Sequence, residues 1–71
     1  MIQILVKEGA TFFDPRTWVA TVLGFSTCAR STVSDADAAT ACARGFYGDQ
    51  LARVEATQVK GMFRAYEKGE E

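Results

Sequence analysis

The sequence predicts an α+β domain, in which an antiparallel sheet of four or five strands carries one helix on one face. Three observations favour this class: a well-marked helix in mid-chain, period-two alternation on both sides of it, and turn residues between the alternating segments. The expected element order is β-β-β-α-β-β. With 71 residues the chain is the size of one domain with a thin core, so we expect residues 1–71 to form a single domain.

The first strand is predicted at residues 2–7, where β-branched side chains recur at every second position. One face of this segment carries Ile2, Ile4 and Val6, and Gly9 is expected to close it. We interpret this segment as an edge strand. A second copy of the chain would then cover its unpaired side by strand addition about a two-fold axis.

The stretch 14–33 allows two interpretations. Asp14-Pro15 is typical of a helix start, and apolar residues four apart allow a short helix at 15–23. However, Thr17, Val19 and their β-branched neighbours crowd a helix and favour a strand. Residues 27–33 alternate as a partner strand, so a hairpin is the favoured interpretation and the helix is kept as the alternative.

The helix is predicted to begin after Ser34, which with Asp37 forms a capping box. In that motif the Ser34 hydroxyl accepts from the N–H of Asp37, and the Asp37 carboxylate reaches back to the N–H of Ser34. An alanine-rich segment follows, and Gly48 is a natural end. The inward side chains are small, with Phe46 expected to be the main anchor on the sheet.

The last two strands are predicted as a hairpin. Residues 51–57 and 62–67 both alternate, and Lys60-Gly61 marks the turn between them.

The composition argues against catalysis and against bound metal. The chain has no histidine, which removes the commonest general base and the commonest metal ligand. Cys28 and Cys42 alone cannot complete a tetrahedral zinc site, and no glycine-rich phosphate loop is present. We therefore expect no enzyme, no cofactor and no metal.

Charge and hydropathy narrow the choice of partner. Eight Lys and Arg stand against nine Asp and Glu, so the net charge is -1 and no basic run is present. Direct binding of nucleic acid is therefore not expected. No apolar stretch is long enough to span a membrane, and no signal peptide is recognised, so a cytoplasmic location is expected.

The residues left for function are those suited to partner contact, because aromatic side chains and arginine dominate binding hot spots. One group surrounds a predicted loop, where Phe12, Phe13 and Trp18 serve either as core or as interface. The other is the polar face of the last hairpin. The candidate partner-binding residues are Phe13, Arg16, Trp18, Arg53, Arg64 and Tyr66.

The layout resembles that of small phage and mobile-element proteins of the anti-CRISPR type. The likeness rests on a strand pair, the pattern Ser34, Asp37, Ala38, Ala41 and Ala43, a Phe-Tyr-Gly close at 46–48, and a final strand pair. It covers about 50 of the 71 residues and carries over no functional residue.

The resemblance implies stoichiometric inhibition of a host protein or ribonucleoprotein complex, such as a CRISPR effector in the host cytosol. The inhibitor would act by blocking DNA entry, a conformational step or nuclease recruitment. The alternatives are a nucleic-acid-binding module that uses the sheet face, and a homodimeric accessory or assembly protein.

Overall fold

A computed structural model describes residues 1–9, 17–25 and 27–70. These residues form five strands and one α-helix in the predicted order β-β-β-α-β-β, so the α+β class is confirmed. The elements are β1 (Ile2–Gly9), β2 (Thr17–Val22), β3 (Cys28–Ser31), α1 (Asp35–Tyr47), β4 (Leu51–Ala56) and β5 (Met62–Glu67), with a short 3-10 turn at Gly48–Gln50.

The five strands form one antiparallel sheet in the order β3-β2-β1-β5-β4. β1 is therefore the central strand, and its interpretation as an edge strand is wrong. It pairs with β2, where Val6 lies opposite Ala20, and with β5, where Ile4 lies opposite Phe63. Alternation along a segment shows which side chains share a face, but it carries no information about which strands become neighbours.

The stretch that allowed two interpretations is a strand over Thr17–Val22, so the hairpin is confirmed and the helix is excluded for these residues. Its β-branched side chains suit the pleated sheet, and Gly24 turns the chain at φ 82°. The partner strand β3 is shorter than predicted. It ends at Ser31, whose hydroxyl accepts from the Val33 N–H at 3.1 Å and so favours a local turn over continued pairing.

The helix begins as predicted at the Ser34 cap, whose hydroxyl oxygen accepts from the Asp37 N–H at 3.1 Å. The second half of the motif differs, because the Asp37 carboxylate accepts from the Ser34 hydroxyl at 2.9 Å. The helix ends at Tyr47. Gly48 follows at φ 59° and donates its N–H to the Arg44 carbonyl.

The core lies between α1 and one face of the sheet, which we call the covered face. The helix approaches this face through small side chains, and all of them are buried: Ala38, Ala39, Cys42 and Ala43. The sheet contributes two further alanines and five larger side chains, namely Ala20 and Ala65, and Ile2, Ile4, Val6, Val22 and Phe63. Phe46 is only half-buried at the edge of this core, where its ring meets Phe25 and Tyr47 edge-on.

The last hairpin has the predicted bounds within one residue and is tied to the central strand at its turn. The Val6 N–H donates to the Gly61 carbonyl at 2.7 Å. A Cβ atom on residue 61 would lie 2.7 Å from the Val6 carbonyl oxygen, and its φ is 81°. Only glycine fits this turn without displacing β1.

Candidate partner-binding surface

The face of the sheet opposite α1 is the candidate site, and we call it the open face. Within the described residues no helix or strand covers it. Each of the five strands contributes every second residue to this face. The side chains named in the next sentence are all exposed or half-buried. They form an apolar centre of Leu5, Val19 and Met62, beside which lies Thr21, and a polar rim of Lys7, Arg30, Arg53, Glu55, Arg64 and Tyr66.

The apolar centre follows from the register of the three middle strands. Leu5 on β1 lies between Thr21 on β2 and Met62 on β5, and Val19 is in the adjacent row of β2. All of these side chains are half-buried. A continuous apolar strip is thus left in contact with solvent, which is typical of an interaction site.

The rim of the open face is cationic. The cationic side chains that project there are Lys7, Arg30, Arg53 and Arg64. Glu55 is the only acidic side chain that the described strands place on this face. The chain as a whole has one acidic residue in excess, so most of its carboxylates lie elsewhere. The fold therefore separates charges that are evenly mixed along the sequence.

One corner of the rim is a hydrogen-bonded cluster on β4 and β5. The Arg53 Cζ lies 4.1 Å from the centroid of the Tyr66 ring, and Arg53 Nη1 is 2.5 Å from a Glu55 oxygen. The Tyr66 hydroxyl donates to the other Glu55 oxygen at 2.7 Å. This cluster holds Arg53 against an aromatic face, which reduces the side-chain entropy that binding would cost.

The same contacts set the protonation of the acid. The hydrogen bond from Tyr66, and after it the one from Arg53, lower the pKa of Glu55 below its ordinary value. Arg64 lies opposite Glu55 in the register and acts in the same direction. Glu55 therefore stays ionised well below neutral pH.

The predicted partner-binding residues fall into three groups. Arg53, Arg64 and Tyr66 come together on the open face. Trp18 lies on the covered face, where it is half-buried and packs against the core. Phe13 and Arg16, together with Phe12, lie outside the described residues.

The sequence interpretation missed Leu5, Lys7, Arg30 and Met62 as members of this surface. The alternation of residues 2–7 already placed Leu5 and Lys7 on one face. Their convergence with Arg30 depends on the strand order, because Val19 lies between Lys7 and Arg30 in one row across three strands. That order is a long-range property, which local patterns do not contain.

Other chemistry is sparse in the parts of the chain that the structure describes. Within them no group of three or more His, Cys, Asp or Glu side chains is arranged to hold a metal ion. Burial, and after it the neighbouring Cys28, raises the pKa of the Cys42 thiol, which makes it a poor nucleophile. Among the described residues no helix combines the length and the apolar character that crossing a membrane requires.

Comparison with protein-family models, with curated proteins and with solved structures gives no match to this chain.

Proposed function

We propose that this chain is a stoichiometric binding protein that docks its open face on a partner protein and blocks it sterically. The observation that carries the proposal is the apolar centre of Leu5, Val19 and Met62 within a rim of arginine, lysine and tyrosine. Interfaces are enriched in Met, Tyr and Arg, and they typically have an apolar core inside a polar rim. The open face has this arrangement.

The charge of the rim indicates the chemistry of the partner. Four cationic side chains surround the apolar centre, so the complementary surface has an apolar centre and an acidic rim. The layout of the chain resembles that of anti-CRISPR-type proteins. We accordingly propose that the partner belongs to a host effector complex, and that binding occludes a surface which the complex needs.

Nucleic acid is the second candidate, because the fold gathers cations that are dispersed in the sequence. Single-stranded nucleic acid is usually held on aromatic platforms. Tyr66 is the only aromatic side chain that the described strands place on the open face, and Arg53 already occupies one side of its ring. This observation favours protein as the partner.

The test is capture from a host lysate with tagged protein, done with and without nuclease treatment of the lysate. We compare the wild type with Met62→Glu, which places a charge in the apolar centre, and with Arg64→Glu, which reverses one rim charge. Ala41→Glu is the matched control, since Ala41 is exposed on α1. All variants are first checked for folding by circular dichroism.

We expect the wild type and Ala41→Glu to recover the same protein in stoichiometric amount. Each open-face variant should bind the identified partner at least about tenfold more weakly. Equal recovery by all four proteins would assign binding to another surface. Capture that disappears with nuclease, together with salt-dependent binding to a purified oligonucleotide, would support the second candidate instead.

A further inference from the structure

The sheet has an edge strand, β4, whose outer side meets no other strand among residues 1–9, 17–25 and 27–70. The Thr57 N–H donates to the Met62 carbonyl at 3.1 Å, which fixes the phase of the pairing with β5. Hydrogen-bonded and non-hydrogen-bonded pairs alternate in an antiparallel ladder. The backbone N–H and C=O groups of Arg53 and Glu55 are therefore hydrogen-bonded to β5. The backbone N–H and C=O groups of Val54 and Ala56 therefore point outward from the sheet.

A groove runs along this edge on the helix side. It is lined by Thr40 and Arg44 of α1 and by Leu51, Ala52 and Val54 of the edge strand. The helix packs chiefly on β1, β2 and β3, so it leaves this side of the sheet less covered. The groove therefore leaves open space on the helix side of β4.

The side chains of β4 are self-complementary. Arg53, Val54 and Glu55 follow one another, with the two charges on the open face and the valine on the covered face. In an antiparallel pair of β4 strands centred on Val54, Arg53 of each copy lies opposite Glu55 of the other. Opposite charges that face each other across strands are stabilising, and like charges are destabilising.

The helix-side contacts of such a pair are also compatible. Val54, which lies on the covered face, meets Val54 of the second copy at the axis. The irregularity in the pairing of β4 with β5 lies between Leu51 and Arg53, so residues 53–56 remain regular. Val54 has its backbone groups outward, as a hydrogen-bonded pair on the two-fold axis requires.

The opposite edge of the sheet lacks this property. β3 has only four residues and carries Arg30 without an acidic side chain in the strand. A two-fold axis at Ala29 would place Arg30 opposite Cys28 of the second copy. Of the two edges of the described sheet, only the β4 edge has side chains that are complementary to a second copy of itself.

We propose that β4 pairs with β4 of a second copy about a two-fold axis at Val54. The two five-stranded sheets become one sheet of ten strands, and both open faces lie on the same side of it. This inference is independent of the proposed function, because each open face is complete within one copy. Its consequence is an assembly that presents two open faces on one side.

The test measures mass by sedimentation equilibrium up to about 1 mM protein, the range in which weak dimers are detected. Arg53→Glu leaves two acids on the edge, and Glu55→Arg leaves two arginines there. Each variant alone should raise the dimer dissociation constant about tenfold or more, because like charges then face each other. An equimolar mixture of the two variants brings opposite charges together at both positions and should restore dimers.

Recovery of the dimer in the mixture shows that both variants are folded and fixes the register. A wild type that stays monomeric at the highest concentration overturns the proposal. So do variants that dimerise as well alone as the wild type, or a mixture that remains monomeric. No host partner is needed, so this result and that of the lysate capture can fail separately.

Discussion

The two faces of β1 differ in what their side chains contact. Ile2, Ile4 and Val6 are buried against a helix that presents almost only alanine and cysteine, whereas Leu5 and Lys7 point to a face that no described element covers. Small helix side chains allow close approach, so the covered face closes into a core. The open face carries long side chains with charged ends and remains available. One alternating segment thus has a buried face on one side and an accessible face on the other.

Neighbouring residues of β1 give the sharpest test of this difference. Ile4→Ala removes a side chain that is 0% exposed and should lower the free energy of unfolding by about 2 to 5 kcal/mol. Leu5→Ala, on the half-buried open face, should cost about 1 kcal/mol or less. Denaturant unfolding measures both. Equal losses would show that the open face is part of the stabilising core.

The helix offers the reverse experiment, in which a side chain is enlarged. Ala43→Leu places extra volume where the helix meets the covered face and should destabilise by about 1 to 3 kcal/mol. Ala41→Leu makes the same change on the exposed side of α1 and should leave the unfolding midpoint almost unchanged. Thermal unfolding followed by circular dichroism distinguishes them. A tolerated Ala43→Leu would mean that the helix is not held close to the sheet.

The two cysteines report on the two faces by their reactivity. Cys28 is exposed on β3, and Cys42 is buried on the inward side of α1, where burial raises its pKa. In single Cys→Ser variants, Cys28 should react with a disulfide reagent on the order of 100-fold faster than Cys42 at pH 7. Denaturation should remove most of the difference. Similar rates in the folded protein would contradict the packing of α1.

The smallest expected effect concerns the titration of Glu55 on the open face. Because its pKa is lowered in the folded protein, the carboxylate contributes stability above its unfolded pKa. That contribution is lost as the pH falls through the lowered folded value. Tyr66→Phe removes the largest cause and should move the pKa of Glu55 up towards 4.5, as followed by NMR. Tyr47→Phe, remote from Glu55, is the control. An unchanged titration in Tyr66→Phe would show that the cluster does not form.

Elements that depend on neighbouring residues were predictable from the sequence. The helix cap at Ser34, the end at Gly48 and the turn at Lys60-Gly61 are all local signals, and each lies where expected. The strand order was not predictable. The placement of β1 at the centre depends on pairing with β5, and the sequence pattern allows a central strand and an edge strand equally.

The candidate surface shows the same division. Arg53, Arg64 and Tyr66 were predictable as one group because a single hairpin brings them together. Lys7 and Arg30 join them only through the order of the whole sheet. Trp18 is predicted as a contact residue from its residue type, but its position in the alternation of β2 places it on the covered face.

The central position of β1 also has a consequence for how the protein folds. Residues 2–5 pair with residues 62–65, so the sheet joins segments that are separated by nearly the whole described chain. Loop closure of that length must precede the contacts that reward it, and such topologies fold slowly for their size. Until β5 has been synthesised, half of the β1 backbone has no neighbour. A nascent chain therefore leaves one side of its central strand unpaired until β5 is available, and the protein acquires its cooperative structure only then.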